Sequence, residues 1–291
     1  AASAISSALN KRYRQYAVTQ VVTDVACNLV TFRLDDVTTD KSISAHNVEA
    51  LRQDNPTRLI IQDGTYIDLT RSGSMIVAGK TRSGKTTGVI SLLLQVLLSG
   101  PDKFGSCVLV VDPKRAELSC LPHVVSLDSD GEAMTILAAM QHFAATVVSR
   151  QQVLNALSKE AGDAVHWWDA GMHPCLLFLD EYVALRDIFP AKAAKDSDYC
   201  RATFDAILKR IMTTGASAGC YVIISIAEAS VGEGGLPTLV KNAASTKILF
   251  RPKADEGSFL WDSRKLDVLK NDRVYRQGDA WFTSEDGDHE E

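Results

Sequence analysis

The short, mostly apolar run Ser74-Met75-Ile76-Val77-Ala78 is followed at once by Gly79-Lys80-Thr81-Arg82-Ser83-Gly84-Lys85-Thr86. After it, Val89, Ile90, Leu93, Leu94, Leu97 and Leu98 recur at helical spacing. This order predicts a strand, a tight turn and a helix over 87–98, and no other stretch constrains the fold so closely. Gly79 and Gly84 let the backbone turn so that successive N–H groups point inward, and the helix N-terminus adds partial positive charge at the same place. Such a cradle suits phosphate. Lys85 is expected to reach the β and γ phosphates of ATP, Thr86 to give its hydroxyl to Mg²⁺, and Thr87 to lie nearer the α phosphate. Gly79, Lys80, Thr81, Arg82, Ser83, Gly84, Lys85, Thr86 and Thr87 therefore form the expected nucleotide-binding set.

Downstream, Cys107-Val108-Leu109-Val110-Val111 and Cys175-Leu176-Leu177-Phe178-Leu179 are runs suited to buried strands, and Cys220-Tyr221-Val222-Ile223-Ile224-Ser225 and Thr246-Lys247-Ile248-Leu249-Phe250 read as two further strands. Between them, 132–157 carries apolar residues at helical spacing and 204–212 reads as a second helix. Strands alternating with helices predict an α/β fold with a mostly parallel sheet covered on both sides. Ahead of this region, β-branched residues over 18–34 and the turn signal Asp63-Gly64 between Leu59-Ile60-Ile61-Gln62 and Tyr66-Ile67-Asp68-Leu69 predict a small β-rich layer. The division expected is an N-terminal linker and β-rich layer over 1–70, a motor domain over 71–283 and an acidic tail over 284–291. The Ala- and Ser-rich start, Ala1 to Ala8, reads as the edge of a longer chain.

The run Leu176 to Leu179 ends in Asp180-Glu181. Ligands of open α/β sheets bind beyond the carboxyl ends of the strands, so two carboxylates there are placed for chemistry. Asp180 is expected to hold Mg²⁺ and Glu181 to orient and polarise the water that attacks the γ phosphate. A nucleoside kinase would have no use for that glutamate, since it must keep water from the γ phosphate.

The formal net charge of -5 excludes a chain that wraps nucleic acid with its whole surface, but leaves room for a ring whose lumen alone is basic. No apolar run approaches a membrane span. The six cysteines are scattered with no CxxC pair, which favours buried, reduced thiols over disulfides or metal ligands.

Asp112-Pro113-Lys114, Leu179-Asp180-Glu181-Tyr182, Ala218-Gly219 before Val222-Ile223-Ile224, Leu239-Val240-Lys241-Asn242, Thr246 to Arg251, Asp262-Ser263-Arg264 and Gly278-Asp279 follow one another in this order. The set resembles the FtsK/SpoIIIE family over about 74–282. The resemblance implies a RecA-like P-loop NTPase fold and a homo-oligomeric ring, a hexamer, that hydrolyses ATP and pulls double-stranded DNA through its pore. A coupling ATPase of conjugative DNA transfer is the expected role; a secretion-system ATPase moving protein and a chromosome-segregation DNA pump are the alternatives the resemblance leaves open. It implies a cytoplasmic-side location, with attachment to membrane-anchored transfer or secretion machinery through a segment upstream of residue 1. It also implies an arginine finger supplied between subunits. Arg251 is the expected finger, and Lys247 stands where the family usually has Arg. The family's lumen loops map onto 184–202, with Arg186, Lys192, Lys195 and Arg201, and onto the glycine-rich 231–237. One departure is plain: Ile226-Ala227-Glu228-Ala229 replaces the family's Thr-Gln-Arg-Pro, so the γ-phosphate-sensing glutamine is missing and Ser225 or Glu228 is left to replace it.

Overall fold

A computed structural model describes residues 1–9, 11–115, 118, 121, 124–227, 236–261 and 275–284. A short helix α1 (Ala2–Ala8) leads to a hairpin of β1 (Tyr16–Asp24) and β2 (Leu29–Asp36). A second hairpin, β3 (Arg58–Gln62) and β4 (Thr65–Asp68), turns at Asp63-Gly64 as its sequence predicts. Then come β5 (Ser74–Ala78), α2 (Lys85–Ser99), β6 (Val108–Val111), β7 (Val124–Val125), α3 (Met134–Ala161) and β8 (Cys175–Leu179). The chain continues through α4 (Tyr182–Ile188), α5 (Arg201–Thr214), β9 (Cys220–Ile226), α6 (Thr238–Ala243), β10 (Ala244–Phe250), α7 (Ala254–Leu260) and β11 (Ala280–Ser284).

Seven strands form the central sheet in the order β11-β10-β5-β9-β8-β6-β7. All neighbours are parallel except β10 and β11. This is the mostly parallel α/β architecture expected, preceded in the chain by a small antiparallel layer. The continuous apolar runs arise because both faces are covered. On one face, Ile76, Leu177, Leu179, Val222 and Ile224 pack against Met140 and Phe143 of α3, Tyr182 and Leu185 of α4, and Phe204 and Leu208 of α5. On the other, Val77, Val110, Phe178 and Ile223 meet Val89, Leu92 and Leu93 of α2 together with Leu59 and Ile67 of the β3–β4 hairpin. That hairpin is also tied to α2 through Gln95, whose amide exchanges hydrogen bonds with Ile60 N–H (2.8 Å) and C=O (2.9 Å).

The amino ends of the central strands are fixed by one buried cation. Arg150 of α3, fully buried, donates to the carbonyls of Ala218 (2.8 Å), His173 (2.8 Å) and Gly105 (3.2 Å) and lies 3.4 Å from Asp102 Oδ2. Those carbonyls precede β9, β8 and β6, so one side chain sets where three strands begin.

The segment over 184–202 differs from its expected form. Its first part continues α4, because Tyr182 and Leu185, one turn apart, both face the core. Arg186 pairs with Asp205 of α5 through two hydrogen bonds (2.8 and 2.7 Å), and Arg201 lies 3.2 Å from Asp187. These two arginines join α4 to α5 instead of standing in a lumen loop. Lys192 and Lys195 lie beyond α4 and are exposed. Most of the second expected loop, along with Glu228, Asp262-Ser263-Arg264 and the acidic tail after Ser284, lies outside the described residues.

Candidate active site

The strand tips that matter gather at the carboxyl edge of the sheet. β5 is followed by the turn 79–84, β8 by Asp180-Glu181, β6 by Asp112 and β10 by Arg251, and β9 ends at Ile226. The turn is held from below by one carbonyl. Ile226 C=O accepts the Gly79 N–H (3.2 Å) and the Lys85 ammonium (3.2 Å), so the first and last parts of the turn share an anchor on the neighbouring strand.

Both glycines of the turn are required by contact as well as conformation. Gly79 has φ +152°, and a Cβ there would stand 2.8 Å from Ser83 Oγ and 2.9 Å from Phe250 Cβ. Gly84 has φ +101°, and its Cβ would stand 2.8 Å from Gly278 N. The Gly278 N–H donates to Ser83 C=O (2.8 Å), and Lys80 Nζ lies 2.9 Å from Glu256 of α7, so the chain's last described segments brace the turn from outside. Thr86 is half-buried in the first turn of α2, while Lys80, Thr81, Arg82 and Thr87 are exposed. Ser83 Oγ is buried without a hydrogen-bond partner.

Lys85 is buried, and that burial lowers its pKa from the ordinary lysine value; the nearby carboxylates of Glu181 and Asp180 oppose the shift. Asp180 shows the reciprocal effect. Burial raises its carboxyl pKa, while the Ser225 hydroxyl and Lys85 pull it back. Ser225 Oγ reaches no partner with good hydrogen-bond geometry, so we read it as a neighbouring dipole rather than a bonded donor. Asp180 is held by its N–H to Val111 C=O (3.0 Å). Glu181 begins α4 with φ 46° and ψ 51°, a left-handed conformation that costs a non-glycine residue about 1–2 kcal/mol.

The structure thus brings Lys85, Asp180, Glu181 and the turn together at one edge. The hydroxyl of Thr86 and the carboxylate of Asp180 are hard oxygen donors of the kind Mg²⁺ takes. Arg251 is differently placed: its N–H donates to Asp279 C=O (2.8 Å) beside the turn, but its side chain is exposed. Sequence reasoning did not anticipate a bond to Glu181 from the Asp112-Pro113-Lys114 motif. Lys114 Nζ lies 2.9 Å from Glu181 Oε1. The signal available was the motif's place at a strand end; the partner follows only once β6 and β8 are known to be neighbours. A cleft of about 550 Å³ lined by Arg71, Gln151, Asn155, His166 and Trp168 opens away from these strand tips and contains none of these residues.

A parallel strand, a phosphate-shaped turn and an acidic pair on a nearby strand tip define a P-loop ATPase. Residues 52–174 match the FtsK/SpoIIIE family. The chain is 24% identical over 151 residues to the FtsK domain-containing protein YdcQ of Bacillus subtilis (strain 168), a match covering 52% of this chain and 28% of that protein. The structure of the pCW3 conjugation coupling protein TcpA with ATPγS superposes with a TM-score of 0.65 at 15% identity, over 93% of this chain and 75% of that one. The cytoplasmic domain of the type VII secretion ATPase EccC of Thermomonospora curvata gives 0.54 at 16% identity, over 82% and 29%. At these identities the superpositions establish a shared fold. Among the described residues no helix is long and apolar enough to cross a membrane.

Proposed function

We propose that this chain is the motor domain of a ring-forming ATPase that moves double-stranded DNA, in the manner of a conjugative coupling protein. The observation carrying the hydrolytic part is the placement of Glu181 and Asp180 beside Lys85 at the mouth of the turn. In this reading the N–H groups of 79–86 and Lys85 bind the phosphates, and Thr86 with Asp180 would hold Mg²⁺, which when bound neutralises charge on the β and γ oxygens. Glu181 orients water in line with the γ phosphate and takes its proton. Arg251 would act on a neighbouring subunit's nucleotide, where its guanidinium can bridge two oxygens. The DNA part is supported by the shared fold with a conjugation coupling protein.

A protein-moving motor is the second reading, favoured by the same fold in a secretion ATPase. Steady-state ATP hydrolysis with and without duplex DNA separates them. We expect duplex DNA to stimulate turnover, with a strong salt dependence. A rate indifferent to DNA at low salt would remove the DNA reading and leave the other.

A further inference from the structure

We propose that Lys114 is a positioning residue for hydrolysis, holding the Glu181 carboxylate where it can meet the attacking water. The inference rests on Glu181 being the water-orienting group. Lys114 Nζ lies 2.9 Å from Glu181 Oε1, and a carboxylate held at one oxygen still has acceptor positions to offer water.

Both ends of this contact are prepared by the backbone. Just after β6, Asp112 is fully buried; its N–H donates to Val125 C=O (3.0 Å) and its Oδ1 accepts the Lys114 N–H (2.9 Å). Pro113 between them has a fixed φ, so the lysine leaves the strand tip from a rigid turn. Beyond β8, Glu181 occupies the left-handed conformation already described. Strain of this kind persists only where the surroundings over-determine it, and it gathers at functional sites. The two residues follow neighbouring parallel strands, which end level with one another, Val111 opposite Leu179 in the register.

Fold stability is a poor explanation for the pair. The Lys114 side chain is 57% exposed and that of Glu181 20%, and ion pairs this open contribute little to folding. The same openness suits a contact that orients a side chain and yields as the reaction proceeds. Lys114 is also close enough to depress the Lys85 pKa, which places its charge within reach of the nucleotide site and makes direct phosphate binding the alternative to exclude.

Four variants decide the matter: K114M, K114R, E181Q and K114M/E181Q, compared for kcat and KM in ATP hydrolysis and for affinity towards a fluorescent ATP analogue. K114M should lower kcat by about fivefold, the order expected for losing one exposed ion pair, while KM and analogue affinity change by less than about twofold. K114R should recover most of the loss, and adding K114M to E181Q should cost nothing further. Parental or faster turnover by K114M would overturn the proposal. So would a K114M loss that persists in full in the E181Q background, or an analogue affinity that falls in step with kcat. Parental turnover by E181Q is a separate failure: it would sink the assignment of Glu181 and this proposal with it.

Discussion

Asp180 sits where an ionised carboxylate is poorly solvated, and the Mg²⁺-holding role proposed for it requires it ionised. Burial raises its pKa above the unfolded value, so the fold favours the protonated form. That favourable contribution is fully present below the ordinary carboxylate range and is lost as pH rises through the folded pKa. At neutral pH the charge is therefore a net cost to the nucleotide-free fold. Asp180→Asn should melt higher than the parent at pH 7 without nucleotide, with the gain shrinking as pH falls, and it should lose ATP turnover by at least about a hundredfold. Scanning fluorimetry across pH tests this, and a lower melting temperature for Asp180→Asn at pH 7 would contradict it. Glu181→Gln should keep nucleotide affinity and lose turnover by roughly 10²–10⁴-fold, because an amide cannot accept the water's proton. Binding intact with hydrolysis lost is the expected pair of measurements; parental hydrolysis would show that another group orients the water.

Elements were legible where burial alone decides them. The strands β5, β6, β8 and β9 are read from mostly continuous apolar runs because a two-faced interior leaves no alternation to misinterpret. The helix α2 begins at Lys85, two residues before the start expected at 87, because Lys85 and Thr86 are polar and carry no apolar signal. The helix α4 was missed for the opposite reason: its seven residues are too few to show a period, and their charges look like those of a loop. Arg186 is legible as a basic residue, yet only the packing of α4 on α5 reveals that Asp205 already neutralises it. Ion pairs between elements distant in sequence leave no local pattern, which also hid Arg150. Arg150→Met should destabilise the fold by about 3–5 kcal/mol, because Asp102, with a side chain only 3% exposed, would lose the guanidinium beside it. Urea denaturation measures this; a loss below about 1 kcal/mol would mean that the carbonyls around Arg150 find other donors.

At the scale of the molecule, the exposed Arg251 at one edge of the nucleotide site suits a catalytic unit that spans two copies. Mixing Arg251→Ala chains with Lys85→Ala chains should restore part of the activity, since some mixed interfaces pair an intact phosphate loop with an intact arginine. Confirmed co-assembly with no recovery at any ratio would argue against action between subunits. For DNA, Lys192 and Lys195 are the exposed bases left in the first expected lumen loop, so replacing both by Ala should reduce the salt slope of duplex binding by about one to two units. An unchanged slope would move the DNA path elsewhere. The strand order has a further consequence, for the order of events during synthesis. β5, which carries the phosphate loop, is flanked by β9 and β10, and both lie more than a hundred residues downstream. A chain emerging from the ribosome as far as β8 can pair β6 with β8 while β5 has neither neighbour and the Ile226 carbonyl has not yet been made. The nucleotide site is thus among the last parts to assemble, and a nascent chain should acquire ATP affinity only after β10 has cleared the exit tunnel.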